Sequence, residues 1–177
     1  MRPIYANKYP TAHQKKGSIM MLVNPVEIQC RYMYPLPLVE IEDQPEHILF
    51  CQLVWGEGRG EPEAGWIEIA KVVLNRFKAQ KDYFGLNIRE IITKHDGNGI
   101  YQFSAMNPVD KNYAKMKKPE EISWWKIVRA VLPVYCEMPF SMDNPATFYK
   151  VKTLPETGFW KRLKFLKEIG NHHFYRE

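Results

Sequence analysis

The sequence predicts an α+β fold, mainly helical, in one domain with a small β element. Three observations predict it. Apolar residues recur at helical spacing, most clearly Ile67, Ala70, Val73, Leu74 and Phe77. Extended runs are few and short, such as Val26 to Tyr34 and Ile100 to Ser104. At 177 residues, with 45% apolar and 14% aromatic side chains, the chain can fill one core and not two comfortable ones.

The elements follow in order. Residues 1–44 read as a basic arm and short strands, and residues 45–177 as the main folded domain. The arm carries Arg2, Lys8, Lys15 and Lys16 and has no acidic residue before position 25. Val26, Ile28, Cys30, Tyr32 and Tyr34 alternate as in a strand, which Pro35 and Pro37 interrupt. Leu38 to Ile41 make a second short extended piece. Pro45 opens a helix through Ile48, Leu49, Cys51 and Leu53 that ends near Trp55. A turn bearing Glu57, Arg59 and Glu61 comes next, with two glycines that let the backbone reverse. Pro62 starts a second helix, where its missing N–H costs nothing.

Asn87 to Lys94 is a short helix with Ile88, Ile91 and Ile92 on one side. Asp96-Gly97-Asn98-Gly99 is a strong turn signal that delivers the extended Ile100 to Ser104. Asn107 to Lys118 is irregular and basic. Pro119 opens a helix through Ile122, Ile127, Ala130 and Val131, which Pro133 kinks or ends. Asp143 to Leu154 contains Ala146-Thr147-Phe148-Tyr149. Phe159 to Glu168 reads as a short cationic helix, and Ile169 to Tyr175 closes the chain.

Composition excludes several classes. The net charge of +5 fits an anionic partner: nucleic acid, membrane surface or acidic wall polymer. The Lys and Arg residues are spread over many segments rather than clustered with aromatics, which argues against nucleic acid. No apolar run reaches the length of a membrane span, so stable insertion is not expected. Cys30, Cys51 and Cys136 are odd in number and lack metal or redox spacing. His172 and His173 are adjacent, without a third ligand at useful spacing, so no metal and no cofactor are expected. The N-terminus has no apolar signal core, which places synthesis in a cytoplasm.

Glu57 carries the chemistry. A carboxyl at the carbonyl end of a helix, partly buried between Trp55 and Trp66, is biased towards its protonated form. Arg59 would pull the other way on reaching it. A protonated Glu is what sugar cleavage requires. The other reading makes Glu57 and Glu61 solvated turn residues paired with Arg59, and both stay open on the residues alone.

The run Gly56-Glu57-Gly58-Arg59-Gly60-Glu61-Pro62, followed by Val72-Val73-Leu74-Asn75-Arg76, resembles the cell-wall hydrolase family typified by spore cortex-lytic enzymes, the SleB family. Gln102-Phe103-Ser104, Asp143 with Ala146-Thr147 and Tyr149, Trp160, and Ile169-Gly170-Asn171-His172 with Phe174-Tyr175 match in the same order, across about residues 47–176. Gly58 replaces the family's usual Ala, and a Gly-Gly is missing near Asn144-Pro145. The resemblance implies a lysozyme-like fold and a lytic transglycosylase. Such an enzyme cuts peptidoglycan between N-acetylmuramic acid and N-acetylglucosamine and leaves a 1,6-anhydro end. The family's catalytic glutamate falls on Glu57. Arg59, Gln102, Ser104, Tyr149, His172 and Tyr175 are candidate groove residues, while Asn75 and Arg76 tie the core.

Two alternatives are carried forward. A hydrolytic muramidase would need a second carboxylate from Glu61, Glu63 or Asp96. Glu61 is better placed as a structural acid at a helix N-terminus. A wall-binding module that does not cut is the other, and Glu57 in its turn argues against it. The expected setting is a monomeric bacteriophage endolysin, made in the host cytoplasm and acting on the bacterial wall.

Overall fold

The computed structural model describes residues 33–136 and 145–177. The arm, most of the predicted Val26 to Tyr34 strand, Cys30 and Asp143 lie outside the described residues. Helix α1, Glu46–Gly58, is the axis of the domain. Residues 48 to 55 are all buried, so the helix is apolar nearly all round, as a central helix must be. Helix α2, Glu63–Ala79, packs on it and buries Ile69, Ala70, Val72 and Val73. Pro62 is its N-cap. Helix α3, Ile88–Thr93, is capped by Asn87, whose side chain accepts the Glu90 N–H at 2.9 Å.

Helix α4, Tyr113–Met116, is one turn within the stretch read as irregular. Helix α5, Glu121–Cys136, buries Trp124, Ile127, Val128 and Val131, a stripe at i, i+3, i+4 and i+7. Among the described residues no helix is long and apolar enough to cross a membrane.

Strands β1 (Phe148–Val151), β2 (Lys164–Ile169) and β3 (His172–Arg176) form one antiparallel sheet in the order β1-β3-β2. A bulge between Phe165 and Lys167 shifts the β2 register. Gly170, at φ +57°, makes the tight β2–β3 turn, and a Cβ there would lie 1.9 Å from Glu61 Oε2. A residue with a side chain would meet both the left-handed backbone and that carboxylate.

Four expectations change. Leu38 to Ile41 is not extended; it leads into a 3₁₀ turn, Ile41–Asp43, because Gln44 pulls the loop back onto Leu36 and Val39. Only Tyr101 of the Ile100 to Ser104 run pairs, with His95, before a 3₁₀ turn at Ser104–Met106. Of the two readings of Pro133, a kink or an end, the end is removed, since α5 runs on to Cys136. The ring removes one helical bond, but Tyr135 hydroxyl on Glu46 Oε1 (2.9 Å) and its ring against Phe50 hold the last turn on α1. The cationic segment Phe159 to Glu168 is a 3₁₀ turn, Gly158–Arg162, followed by β2.

The core sets the response to alkali. Burial, reinforced by Cys136, pushes the Cys51 thiol up to about 12. Burial and then Glu46 push the Tyr135 phenol up to about 12. The folded state thus keeps protons that the unfolded chain releases, so this stability is complete below the unfolded values and is lost as pH rises through the folded ones. Arg76, lowered to about 10 chiefly by burial, acts in the opposite sense from about pH 10 upward and offsets part of the loss at the upper end. The unfolding midpoint in denaturant should fall between about pH 9 and about pH 12. Cys51→Ala should remove the earliest part of that fall, and an unchanged profile would contradict the assignment.

Candidate active site

Glu57 is the penultimate residue of α1, still inside the helix and not in the turn beyond it. The flanking glycines explain why. Neither has a positive φ; both are buried, and each admits a neighbour. A Cβ on Gly56 would lie 2.3 Å from Met116 Sδ and 2.8 Å from Ala105 Cβ. One on Gly58 would lie 2.9 Å from Ile69 Cδ1. The glycines therefore let α4, the Ser104–Met106 turn and α2 close on the helix end.

That close approach builds the site. Glu57 Oε1 accepts the Ala105 backbone N–H at 2.7 Å and the Ser104 hydroxyl at 3.2 Å. Oε2 accepts the Tyr149 hydroxyl at 2.9 Å. The carboxyl is half-buried, gripped by the 3₁₀ turn on one oxygen and by β1 on the other. The indole N–H groups of Trp55 and Trp66 turn to other partners. Trp55 points its indole N–H at Ser123 (2.9 Å), and Trp66 donates to the Gly58 carbonyl (2.6 Å). Burial first, and then the Glu57 carboxylate, hold the Tyr149 phenol well above its ordinary range, so it remains a donor.

The Asn75-Arg76 pair positions this arrangement. Asn75 donates to the Ala146 carbonyl at 2.8 Å, and Arg76 Nε to that of Thr147 at 2.8 Å. These bonds fix the start of β1 two residues before Tyr149. Arg76 Nη1 also reaches Gln102 Oε1 at 3.0 Å, while the Gln102 amide N–H donates to the Tyr83 carbonyl. The Gln102 side chain is thereby committed to protein partners.

The remaining candidates divide. Arg59 is exposed, lies 5.1 Å over the Trp55 ring and reaches Asn112 Oδ1 at 3.3 Å; it forms no ion pair with Glu57 among the described residues. His172 is buried with its ring edge-on to Tyr149 at 5.2 Å, and its Nδ1 lies 3.5 Å from Glu61 Oε1 without a hydrogen bond. Tyr175 is elsewhere. It is three residues on from His172 in β3, so it faces the other side of the sheet. Its hydroxyl there donates to Glu156 Oε1 at 2.5 Å. Glu61 accepts the Asn171 backbone N–H at 2.8 Å and its side-chain amide at 3.1 Å, tying the start of α2 to the β2–β3 turn. Asp96 closes its own turn on the N–H groups of Asn98 and Ile100, both at 2.8 Å.

Sequence reasoning missed Ala105, whose contribution is a backbone N–H that no side chain announces. Tyr149→Phe tests the other grip. Losing a hydrogen bond to a charged group costs about 1.5–3 kcal/mol, or about 10- to 100-fold in turnover. Turnover should fall by that factor with the unfolding midpoint little changed; full retention would show that the phenol contact is idle.

A carboxyl held at the end of a buried central helix, opposite a small sheet, defines a lysozyme-like α+β domain. The fold is similar to the catalytic domain of the germination-specific lytic transglycosylase SleB from Bacillus anthracis, with a TM-score of 0.52 and 21% identity over 74% of this chain and 93% of that one. The sequence model of the Cell Wall Hydrolase family matches residues 60–175, and the chain belongs to that family. Glu57 stands just ahead of the matched segment. No curated protein sequence matches the chain.

Proposed function

We propose that this protein cleaves the glycan strands of peptidoglycan as a lytic transglycosylase, with Glu57 as the acid and then the base. The grip on Glu57 carries this reading. One half-buried carboxyl is fixed by Ala105, Ser104 and Tyr149, and no other described carboxylate shares those partners. Protonated Glu57 gives its proton to the glycosidic oxygen between N-acetylmuramic acid and N-acetylglucosamine. The C1–O bond breaks and the N-acetylglucosamine side leaves as an alcohol. The Glu57 carboxylate then takes the proton of the muramyl C6 hydroxyl as that oxygen bonds to C1. A 1,6-anhydro ring closes, no water is consumed, and Glu57 is protonated again.

Ser104 and Tyr149 hold the carboxyl through both steps and, with His172 behind Tyr149, form the wall nearest the cut bond. A second carboxylate is unnecessary, unlike in inverting or retaining hydrolysis. Glu61 is occupied by Asn171 and Asp96 by its own turn, which favours the single-acid route.

The test is a digest of purified peptidoglycan, read by mass spectrometry of the released fragments. Anhydro-muramyl ends are the expected product. Reducing muramyl ends would keep the site and make the protein a hydrolase. Absence of glycan fragments would overturn the reading and leave a wall-binding module.

A further inference from the structure

The sheet has a second face, turned away from Glu57. Tyr149 pairs with Phe174 and Val151 with His172 on the catalytic side; Lys150 pairs with His173 on the other. The Gly158–Arg162 turn folds across that other face. Trp160 packs on Tyr175 at 5.4 Å, and the buried Lys150 lies 6.0 Å from both rings. This packing leaves Phe159 at 40% and Phe165 at 50% exposure. Arg162 lies 5.8 Å over the Phe159 ring. Lys161, Arg162 and Lys164 make no ion pair among the described residues, whereas Lys152 is paired with Glu168 and Lys167 with Glu68.

Edge strands such as β2 carry charge to repel stray pairing. That accounts for Lys164. It does not account for a half-exposed Phe165 on the same strand, nor for cations on a turn outside it. Exposed rings beside hydroxyl-accepting carboxylates are instead suited to a sugar chain, whose flat faces stack and whose hydroxyls donate. Glu156, on the Tyr175 hydroxyl, and Glu168, on His173, flank the two rings that Phe165 packs against. They would oppose a nucleic-acid backbone or an anionic lipid surface but accept sugar hydroxyls. Lys161 and Arg162 on the turn complement the carboxylates of peptide stems on the same polymer; Lys164, opposite Arg176, points to the catalytic side of the sheet.

We propose that the turn Gly158–Arg162 and β2 form a second binding surface for uncut peptidoglycan, separate from the cleavage site. It would hold the enzyme on the wall while Glu57 works on a neighbouring strand. The ligand rests on the function proposed above; the surface does not depend on the cleavage chemistry.

The test is co-sedimentation with purified insoluble sacculi, using Glu57→Gln so that the wall stays intact. Adding Lys161→Glu, Arg162→Glu and Phe165→Ala should weaken sedimentation about tenfold, or about 1.4 kcal/mol. The unfolding midpoint should stay near that of Glu57→Gln, since all three side chains are exposed. Unchanged sedimentation by the folded variant would overturn the surface. So would a variant that loses anionic vesicles or DNA while keeping sacculi. Cleavage by the wild type reports separately: a protein that sediments through this surface but releases no fragments would refute the proposed function and leave the surface standing.

Discussion

Glu57→Gln should abolish release of wall fragments while leaving the protein folded. Positioned proton transfer contributes about 100- to 10,000-fold, and one carboxyl serves both steps here, so the loss should reach at least the upper end of that range. The amide is isosteric. Its oxygen can still accept from the Ala105 N–H, and the Tyr149 hydroxyl can turn to accept from its NH₂. Stability should therefore change little. Glu57→Gln with cleavage intact would mean that another group supplies the proton. Glu61→Gln makes the contrast. Glu61 binds Asn171 at the β2–β3 turn, so its loss should lower the unfolding midpoint more than it lowers turnover per folded molecule.

The helical half of this fold was legible because its signals are local. The apolar spacing of α2, Pro45 before α1 and the Ile88, Ile91 and Ile92 side of α3 each reside within a few residues, and the structure keeps all three. The sheet was harder. Leu166, Lys167 and Glu168 suit a helix as readily as a strand. What makes them β2 is pairing with β3 across Gly170, while the bulge after Phe165 erases the alternation that would have marked a strand.

At the site, the turn glycines read as hinges but serve as gaps, because Met116 and Ala105 arrive from distant sequence. The placement of Tyr175 had a signal that went unused. Residues 172 and 175 differ by an odd number, so one strand cannot present both to the same face. Whether Arg59 reaches Glu57 stays open on the residues alone. The helix continues through Glu57, and on it residues two apart point nearly opposite ways; Arg59 accordingly turns to Trp55 and Asn112.

Arg76→Ala should cause the largest loss of stability of any single change at this end of the molecule. Arg76 is 5% exposed and lies 4.6 Å from the Phe103 ring, 4.9 Å from Phe84 and 5.5 Å from Phe148. Burial lowers its pKa to about 10, while Tyr149 and Glu57 pull it back up; the cation is retained because the site answers it. Its removal opens a cavity among three rings and leaves the Thr147 carbonyl and Gln102 Oε1 without their donor. Breaking such a buried arrangement costs about 3–5 kcal/mol, equivalent to a Tm lower by about 6–20 °C in a domain of this size.

Arg76→Lys should recover only part of the loss, since an ammonium cannot serve Thr147 and Gln102 with one planar fork. Activity supplies the second readout. Thr147 anchors β1, and β1 brings Tyr149 to Glu57, so either variant should turn over slowly even at temperatures where it is folded. A Tm within about 2 °C of wild type would show that the cation holds nothing together. A lowered Tm with normal turnover below it would show that β1 finds its place without Arg76.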